Sequence, residues 1–466
     1  MRKSLLVAAT ALATASCASL PAHDAGERLP QPPAGWASAP AGTGAEEAHD
    51  WVATLGDPRL SGLIDEAFAA NPGLNQSFAR YRAARAAARV AGSDRLPSLN
   101  AGLDYTRTEP HVGSGSDSFS LGLSASWEAD LWGRVADGAH AGALDAEAAA
   151  NDVRAAQLSV AGLVAKGWFA LIEAHLQTDL AERDVATRES SLALTERRFA
   201  RGLVRSSDVR TARSALASSQ AALASRRRSE AAAARSLETL LGRYPAATLT
   251  PEADFPAFDA VGAIGTPETL LSRRPDVRAE ERRLQAAGLR AEAARKALYP
   301  SLSLSAGSGT GGPDVADLTD MDNLVSSLTA SLFGPIFNAG ELRGRRDQAR
   351  ANAEAQLYSY VSTVLTAWQE AEDAIHADAI LAQRVENLRQ AYEEAAEAEN
   401  LVIRQYASGV ATIFDLLNAQ SRRISAESQY ISARRDRAAN RVDLYLAIAG
   451  DFSAAQTADP AALTGE

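Results

Sequence analysis

Cysteine is almost absent from this chain of 466 residues, and other scarcities narrow the possible structures further. The single cysteine, Cys17, leaves no internal disulfide possible. Aromatic residues make up only 6% of the chain, whereas alanine and arginine dominate its long segments, which is typical of closely packed helices. Basic residues are not in excess, because the net charge is −11, and this argues against a nucleic-acid partner.

Proline is missing from two long stretches, between Pro110 and Pro245 and between Pro335 and Pro460. Apolar residues recur there at helical spacing, as at Val160, Leu163, Trp168, Leu171, Leu357, Val361, Val364, Trp368 and Ile375. The pattern predicts unusually long helices, of about 90 Å at about 1.5 Å per residue. Such hairpins have too little core to stand alone, so we expect them to pack on copies of themselves. Beyond the N-terminus we find no run of membrane-helix composition, so any membrane span is expected to be β.

The N-terminus has the pattern of an export signal. Arg2 and Lys3 precede a short apolar run, after which small residues lead to Cys17. We predict that 1–16 is a signal peptide and that Cys17 carries lipid, which would anchor the mature chain to a membrane. An ordinary signal with an incidental cysteine is the alternative. Residues 17–49, rich in Pro, Ala and Gly, are predicted to form an extended tether.

The remainder of the chain is a tandem duplication. Each half begins with a helical run of about 25 residues between two prolines, continues with two alternating segments, and ends in long helices. We place the first half at 50–242 and the second at 263–450. A Pro-rich joint at 243–262 separates them, and 451–466 is a C-terminal tail.

Two segments in each half alternate between apolar and polar residues like β-strands. They lie at about 97–107, 117–128, 300–309 and 323–333. Each has about 10 residues, the length of a tilted transmembrane strand. Four strands cannot close a barrel and open edges are not tolerated in lipid, so the strand count predicts a homo-oligomer. A soluble pair of β-hairpins is the alternative. Aromatic residues expected at the membrane interface are Trp127, Trp132, Phe333 and Phe337.

The polar loops predicted at 106–117 and 308–322 offer no convincing ligand site. Residues 307–312 match a dinucleotide-binding glycine pattern but open no helix, so a flexible hairpin loop is predicted instead. Four aspartates follow, without the spacing of an EF-hand, and a solvated surface is favoured over a calcium site: Asp314, Asp317, Asp320 and Asp322. Histidines are dispersed, and no P-loop or nucleophile elbow occurs. We therefore predict no enzyme activity, no metal and no cofactor other than the lipid.

Two short turns interrupt the long helices and share one pattern, 207 residues apart. An aromatic residue, a glycine and an aspartate recur at the same spacing, in the sets Phe199, Gly202, Asp208 and Tyr406, Gly409, Asp415. The glycines suit the positive φ that ends a helix. Ser207 or Asp208 in the first turn, and Thr412 in the second, are predicted to cap the next helix. We interpret the turns as functional tips of two helical hairpins.

Asp415 and Asn418 are three residues apart and therefore share one face of a helix start. In a ring of identical chains, one acidic residue per chain becomes a ring of charge, which acts as a cation-selective constriction. The alternative is ordinary helix chemistry, because aspartate favours a first turn.

Several motifs resemble those of TolC-like outer-membrane efflux proteins, especially the lipoprotein NodT/OprM subgroup. The likeness covers about 50–450. Its most specific motif is the Arg-Arg-Pro-Asp-Val-Arg-Ala-Glu run at 273–280. Further matching segments lie at 55–60, 71–74, 299–302 and 334–337.

This resemblance implies an α+β membrane protein in which the four strands of each chain join a trimeric twelve-stranded β-barrel. The long helices would form an α-helical periplasmic barrel, with an equatorial region near the joint. The implied function is passive export of drugs or other small molecules across the outer membrane. The implied partners are a periplasmic adaptor and an inner-membrane RND-type pump. Ala18 after the cysteine also favours the outer membrane, since aspartate there resembles an inner-membrane retention signal.

Other functions stay open at this stage. A duct for type I secretion or for heavy-metal efflux is the alternative within the same class. A soluble coiled-coil adaptor predicts a single hairpin rather than a duplicated plan of strands and helices. An enzyme using the aspartate-rich loop predicts a convergent site, which the sequence does not contain.

The resemblance also assigns roles at the tips. Asp415 and Asn418 would line the channel aperture, Asn418 standing where a second aspartate is usual. Tyr406 and Asp208 would belong to the latch that keeps the aperture closed.

Two further tip positions, Gly202 and Gly409, would lie where the adaptor docks. An arginine that helps some family members hold this closure is not found at Ala411, and another arginine of the subgroup is replaced by Ser421. A weaker or differently built latch is therefore expected.

Overall fold

The computed structural model of the protein describes residues 31–38, 51–251, 254–258 and 264–448. The predicted signal peptide, Cys17 and the C-terminal tail lie outside the described residues, as do most of the predicted tether and part of the joint.

The described residues contain nine α-helices, most of them longer than ten residues. They are α1 (Trp51–Thr54), α2 (Pro58–Ala70), α3 (Pro72–Ser93), α4 (Arg134–Ala200), α5 (Ser206–Leu240), α6 (Pro267–Arg273), α7 (Pro275–Lys296), α8 (Glu341–Ser408) and α9 (Ile413–Ala447). Helices α2, α3, α6 and α7 each begin with proline, whose missing N–H costs nothing in the first turn. At about 1.5 Å per residue, the 67 residues of α4 and the 68 of α8 are each about 100 Å long.

Four strands form one antiparallel sheet in chain order. They are β1 (Ser98–Thr108), β2 (Ser116–Ala129), β3 (Ser301–Gly312) and β4 (Val325–Phe333). The loop predicted from 308 is wrong, because β3 continues to Gly312 and pairs there with β2. The glycine pattern serves this pairing: a Cβ on Gly309 would lie 2.7 Å from the carbonyl oxygen of Leu121. Two short 3₁₀ turns, Val315–Thr319 and Met321–Asn323, complete the connection to β4.

Register gives the sheet one apolar and one polar face. Leu99 pairs with Ala125, Ala125 with Ala306, and Ala306 with Leu328, so small and branched apolar residues cross all four strands in a row. The neighbouring row is polar: Asn100, Ser124, Gly307 and Ser327. Both faces are largely exposed in the single chain. A soluble sheet would cover its apolar face, whereas none of the described residues covers this one.

The helices that are joined to the strands pack side by side in the same order as the strands. Below strands β1 to β4, α3 packs on α4, α4 on α7, and α7 on α8. Further from the sheet, α5 packs on α4, α4 on α9, and α9 on α8, which completes the two predicted hairpins. Helix α8 is therefore one edge of this layer along its whole length, and α3 and α5 share the opposite edge.

The main core lies near the middle of the long helices, a level that we call mid-height, where α1 and α2 cover α4. Trp51 and Trp168 are fully buried there, and Trp168 Nε1 donates to Asp57 Oδ2 at 2.5 Å. Helix α4 includes a stretch apolar and long enough to cross a membrane, which corrects the expectation that no such run exists; more than half of that stretch is buried inside this fold.

Part of the predicted tether packs against the helical body. Trp36 is buried, and its Nε1 donates to the carbonyl of Gly265 at 3.1 Å. The Glu372 carboxylate of α8 accepts from the backbone N–H groups of Ala37 and Ser38 at 2.7 and 3.0 Å. Residues 31–38 are therefore attached at mid-height, a contact that the Pro- and Ala-rich composition did not predict.

The joint between the halves is held by one buried carboxylate. Glu238, near the end of α5, is fully buried and accepts hydrogen bonds from the backbone N–H groups of Ala247, Thr248 and Leu249 and from the Thr248 hydroxyl. Burial alone raises the pKa of Glu238, but these hydrogen bonds outweigh it and lower the pKa to about 2.

The motif at 273–280 joins three helices. Arg274 is buried, donates two hydrogen bonds to Asp276, and also reaches Glu370 of α8 and the carbonyl of Ala447 at the end of α9. A cation at those last carbonyls is favourable. The most specific motif of the sequence is thus a structural clamp at mid-height.

Candidate functional site at the hairpin tips

Both predicted tips are present and close in the same way. Helix α4 ends before Gly202 (φ +71°) and α8 before Gly409 (φ +87°), the left-handed conformation that glycine accepts without strain. Leu203 N donates to the carbonyl of Arg198 at 2.9 Å in the first tip. The equivalent bond in the second tip joins Val410 N to the carbonyl of Gln405, also at 2.9 Å.

The helices after the two tips begin differently. Thr412 caps α9 as predicted, because its Oγ1 accepts from Asp415 N at 3.3 Å while Asp415 Oδ2 accepts from Thr412 N at 2.9 Å. In the first tip the expected cap is wrong. Helix α5 begins at Ser206 with Arg205 as its N-cap, and Asp208 accepts from Arg205 N at 3.1 Å.

Asp415 and Asn418 are both exposed, one turn apart at the start of α9. The hydrogen bonds from the Thr412 hydroxyl, at 2.7 Å, and from its N–H lower the pKa of Asp415 below its usual range. Asp415 is therefore negatively charged at neutral pH. It both caps a helix and presents charge to the surroundings, so the two alternatives raised by the sequence are compatible.

Tyr406 joins the two hairpins within one chain. It is only 1% exposed and packs in a small apolar cluster with Ala212 of α5 and with Ile413 and Leu416 of α9. Its hydroxyl lies 2.9 Å from Thr195 Oγ1 of α4. Asp208, the other residue assigned to the latch, hydrogen-bonds within its own turn. The structure does not bring these two residues together in the single chain.

Arg198 is a tip residue that sequence reasoning missed. Its guanidinium crosses from α4 to donate to the carbonyl of Tyr406, and it stacks on the Tyr406 ring with 4.7 Å between the guanidinium carbon and the ring centre. Among many scattered arginines, the one signal in the sequence that distinguishes Arg198 is its position immediately before Phe199, the tip aromatic of the first half.

A second polar link lies one turn deeper. Gln420 of α9 is fully buried, and its Nε2 donates to Ser191 Oγ of α4 at 2.9 Å. Further along, Arg423 bridges Glu399 and Glu427, and Arg183 of α4 also binds Glu427. The contact between the hairpins therefore combines the apolar cluster around Tyr406 with directional hydrogen bonds and ion pairs, which a shift of one helix would break.

The two tips also present apolar side chains to solvent. Leu203 and Val410 occupy equivalent positions and are 62% and 78% exposed. Phe414 is exposed as well. By contrast, the equivalent aromatic residues differ, since Phe199 is about half exposed while Tyr406 is buried. An exposed apolar tip is typical of a docking surface.

A family model described as outer membrane efflux protein matches this chain twice, over residues 63–243 and 266–450. The chain is 32% identical to the pyoverdine export outer membrane protein OpmQ of Pseudomonas aeruginosa, and the match covers 97% of both chains.

Solved structures agree with this likeness. The outer-membrane channel OprN superposes with a TM-score of 0.82 at 28% identity, over 92% of this chain and 99% of OprN. The open state of the Neisseria gonorrhoeae MtrE outer membrane channel gives 0.78 at 30% identity, over 91% and 98%. These matches confirm the fold class predicted from the sequence.

Proposed function

Because the chain belongs to the outer membrane efflux protein family, we propose that it is the outer-membrane channel of a tripartite efflux system and conducts small molecules passively. One observation carries this proposal: a sheet with one apolar face, of membrane-spanning length, stands on two helical hairpins, whose tips expose both the charged Asp415 and apolar side chains. A periplasmic adaptor and an inner-membrane RND-type pump would be the partners, and the pump would supply the energy.

A trimer completes the sheet. In the described chain β1 and β4 each have a partner on one side only, so their outer edges carry unpaired backbone groups. Lipid does not tolerate such edges, whereas pairing β1 of one copy with β4 of the next removes them. Three copies give twelve strands, and the helices below, which follow the same order, would close into a tunnel about 100 Å long.

The tips would form the inner mouth of this tunnel. Asp415 of each copy would contribute to a ring of three carboxylates, with Asn418 beside each one. Tyr406 and Asp208 would hold the mouth closed. Gly202 and Gly409, with the exposed apolar residues next to them, would receive the adaptor.

Replacing Asp415 with asparagine is expected to reduce cation selectivity. Each carboxylate attracts a passing cation, so three charges favour cations over anions by on the order of tenfold after screening by salt. Trimers in planar bilayers under a KCl gradient would report this as a shift of the reversal potential toward zero. Asp314→Asn in the exposed β3–β4 connection is the matched control. An unchanged reversal potential in D415N would leave Asp415 a helix cap only, and absence of any channel would overturn the proposed function.

Outer-membrane attachment would be strengthened by lipid on Cys17, which lies outside the described residues. Replacing Cys17 with alanine is expected to abolish incorporation of radiolabelled palmitate, because the thiol is the acylated group. The labelled wild-type protein should appear in the outer-membrane fraction. Label retained by C17A would place the acyl chain elsewhere and remove the proposed anchor.

A further inference from the structure

The strand ends that face the helices carry an exposed apolar band. Trp132 is 46% exposed, Phe333 72%, and Ile336 and Phe337 are almost fully exposed. The N–H of Trp132 is satisfied by the carbonyl of Pro300 at 2.7 Å, so its ring can meet an apolar environment at no polar cost. Register places Phe333 beside Ser301 on the polar face, so the band follows the strand ends and is not confined to the apolar face of the sheet. Aromatic residues at this level are expected at the periplasmic boundary of the membrane.

Carboxylates just below this band are already neutralised or hydrogen-bonded. The ion pairs are Glu128–Arg134, Asp137–Lys296, Glu341–Arg345 and Asp347–Arg346, at 2.5 to 2.7 Å. Asp130 accepts from Ala136 N at the start of α4 at 2.7 Å. The ion pairs leave little negative charge at this level other than that of Asp130, whose carboxylate is stabilised by backbone N–H groups and not neutralised.

Three arginines at the same level are in surplus: Arg89 in α3, Arg95 in the turn before β1, and Arg343 in the first turn of α8. We call them the basic collar. All three are exposed, and within the described part of the chain none forms an ion pair. Asp94 offsets one of the three charges. The collar is therefore a positive surface on a chain whose net charge is −11.

The position of the collar fits a lipid headgroup layer. Arg95 is three residues before β1 and Arg343 is two residues into α8. Arg89 is four residues from the end of α3, about 6 Å along the axis. The headgroup layer of one leaflet is about 5–8 Å thick, and an arginine side chain can extend toward it while its stem stays on apolar surface.

The three collar arginines lie at the edges of the helical layer, so their mutual repulsion is stronger in the assembled channel. Helices α3 and α8 lie at opposite edges of the layer below the sheet. In the trimer that the proposed function requires, the α3 edge of one copy meets the α8 edge of the next. Arg89 and Arg95 then approach Arg343 of the neighbour, and three like charges repel unless an anion lies between them.

We infer that the basic collar binds the phosphate of anionic phospholipid headgroups in the periplasmic leaflet, at the seam between copies. The inference rests on the proposed function, because the seam exists only in the trimer. The guanidinium fork matches phosphate oxygens in two-point hydrogen bonds, and the apolar band above would hold the acyl chains. Removing one arginine near an anionic bilayer weakens its attraction about fivefold.

The test uses the purified trimer in detergent and tryptophan quenching by brominated phospholipids. Trp127 and Trp132 are suitable reporters because Trp127 Nε1 donates to the carbonyl of Arg95 at 3.0 Å. Brominated phosphatidylglycerol is expected to quench at concentrations on the order of 10² lower than brominated phosphatidylcholine. Inorganic phosphate at millimolar concentration should not relieve the quenching, because it lacks the acyl chains.

The triple variant Arg89→Gln, Arg95→Gln, Arg343→Gln should lose this preference. A matched control removes three exposed arginines far from the membrane, as Arg210→Gln, Arg226→Gln, Arg228→Gln, and should keep it. Equal quenching of the wild type by both lipids, or an unchanged preference in the collar variant with native circular dichroism, would overturn the inference. Relief by inorganic phosphate would make the collar an anion site rather than a lipid site. A protein that is monomeric and forms no channels would instead contradict the proposed function.

Discussion

Replacing Tyr406 with alanine is expected to free the two hairpin tips from each other and hold the channel open. Truncating a large buried aromatic side chain costs about 3–5 kcal/mol. In this position it also removes the contact of the hydroxyl with Thr195 and the ring on which Arg198 stacks. If those contacts are present only in the closed arrangement, a loss of about 4 kcal/mol changes the ratio of open to closed by on the order of 10³.

Single-channel recording of reconstituted trimers measures this directly as the fraction of time spent at high conductance. Tyr358→Ala, on the same helix α8 but at a half-exposed tyrosine, is the control and should leave that fraction unchanged. Tyr406→Phe should have an intermediate effect, because it loses only the contact with Thr195, worth about 1 kcal/mol. An open fraction that is the same in Y406A and the wild type would remove Tyr406 from the latch.

Replacing Glu238 with glutamine is expected to destabilise the mid-height region by about 3 kcal/mol. The carboxylate accepts four hydrogen bonds from the joint, on both of its oxygens, whereas an amide offers one acceptor oxygen and would turn its NH₂ toward a buried N–H. Thermal unfolding of the detergent-solubilised protein, followed by circular dichroism, should show a lower midpoint for E238Q.

The same substitution should change how stability depends on pH. The pKa of Glu238 is lowered to about 2, from an ordinary value of 4.5. Because the folded-state pKa is depressed, its stabilisation is complete above about pH 4.5 and is lost as the pH falls toward 2. E238Q should therefore unfold with a weaker pH dependence in this window.

Glu386 supplies the control for that experiment. Hydrogen bonds from Arg389 lower its pKa to about 2 as well, but Glu386 is exposed on α8. Exposed ion pairs contribute little, so E386Q should have the same unfolding midpoint as the wild type. Equal midpoints for E238Q and the wild type would show that the joint is held by other contacts.

Periodicity predicted the regular elements of this fold well. The ends of the four strands lie within three residues of the predicted ends. Alternation of apolar and polar residues with period two is specific to a strand with one apolar face, so the pattern predicts where each strand lies. The prediction of a loop at 308–312 was wrong for a physical reason. Glycine and serine are typical of loops, yet here glycine is what allows β3 to approach the backbone of β2.

Contacts between distant segments were much less predictable. Trp36 binds a loop 229 residues away, and Arg198 binds the tip of the other half, 208 residues away. Local composition carries no information on either partner. The predicted N-cap of α5 was wrong although it depends only on nearby residues. Arg205 is the N-cap, and Asp208 lies in the first turn, where it accepts a hydrogen bond from the backbone of Arg205. The role of Asp415 stays a prediction that the bilayer recording tests, and the roles of Asn418 and the tip glycines stay predictions.

The buried Tyr406 and the exposed Phe199 occupy the same place in two copies of one ancestral unit. The two halves have therefore diverged at their tips: the aromatic residue of the second half packs between the hairpins, and that of the first half is exposed. A mouth built from three chains would gather six tips of two alternating kinds. Its symmetry is then threefold and not sixfold. Six identical partner subunits would therefore meet two different kinds of binding surface. Three partner subunits would suffice if they use only one kind.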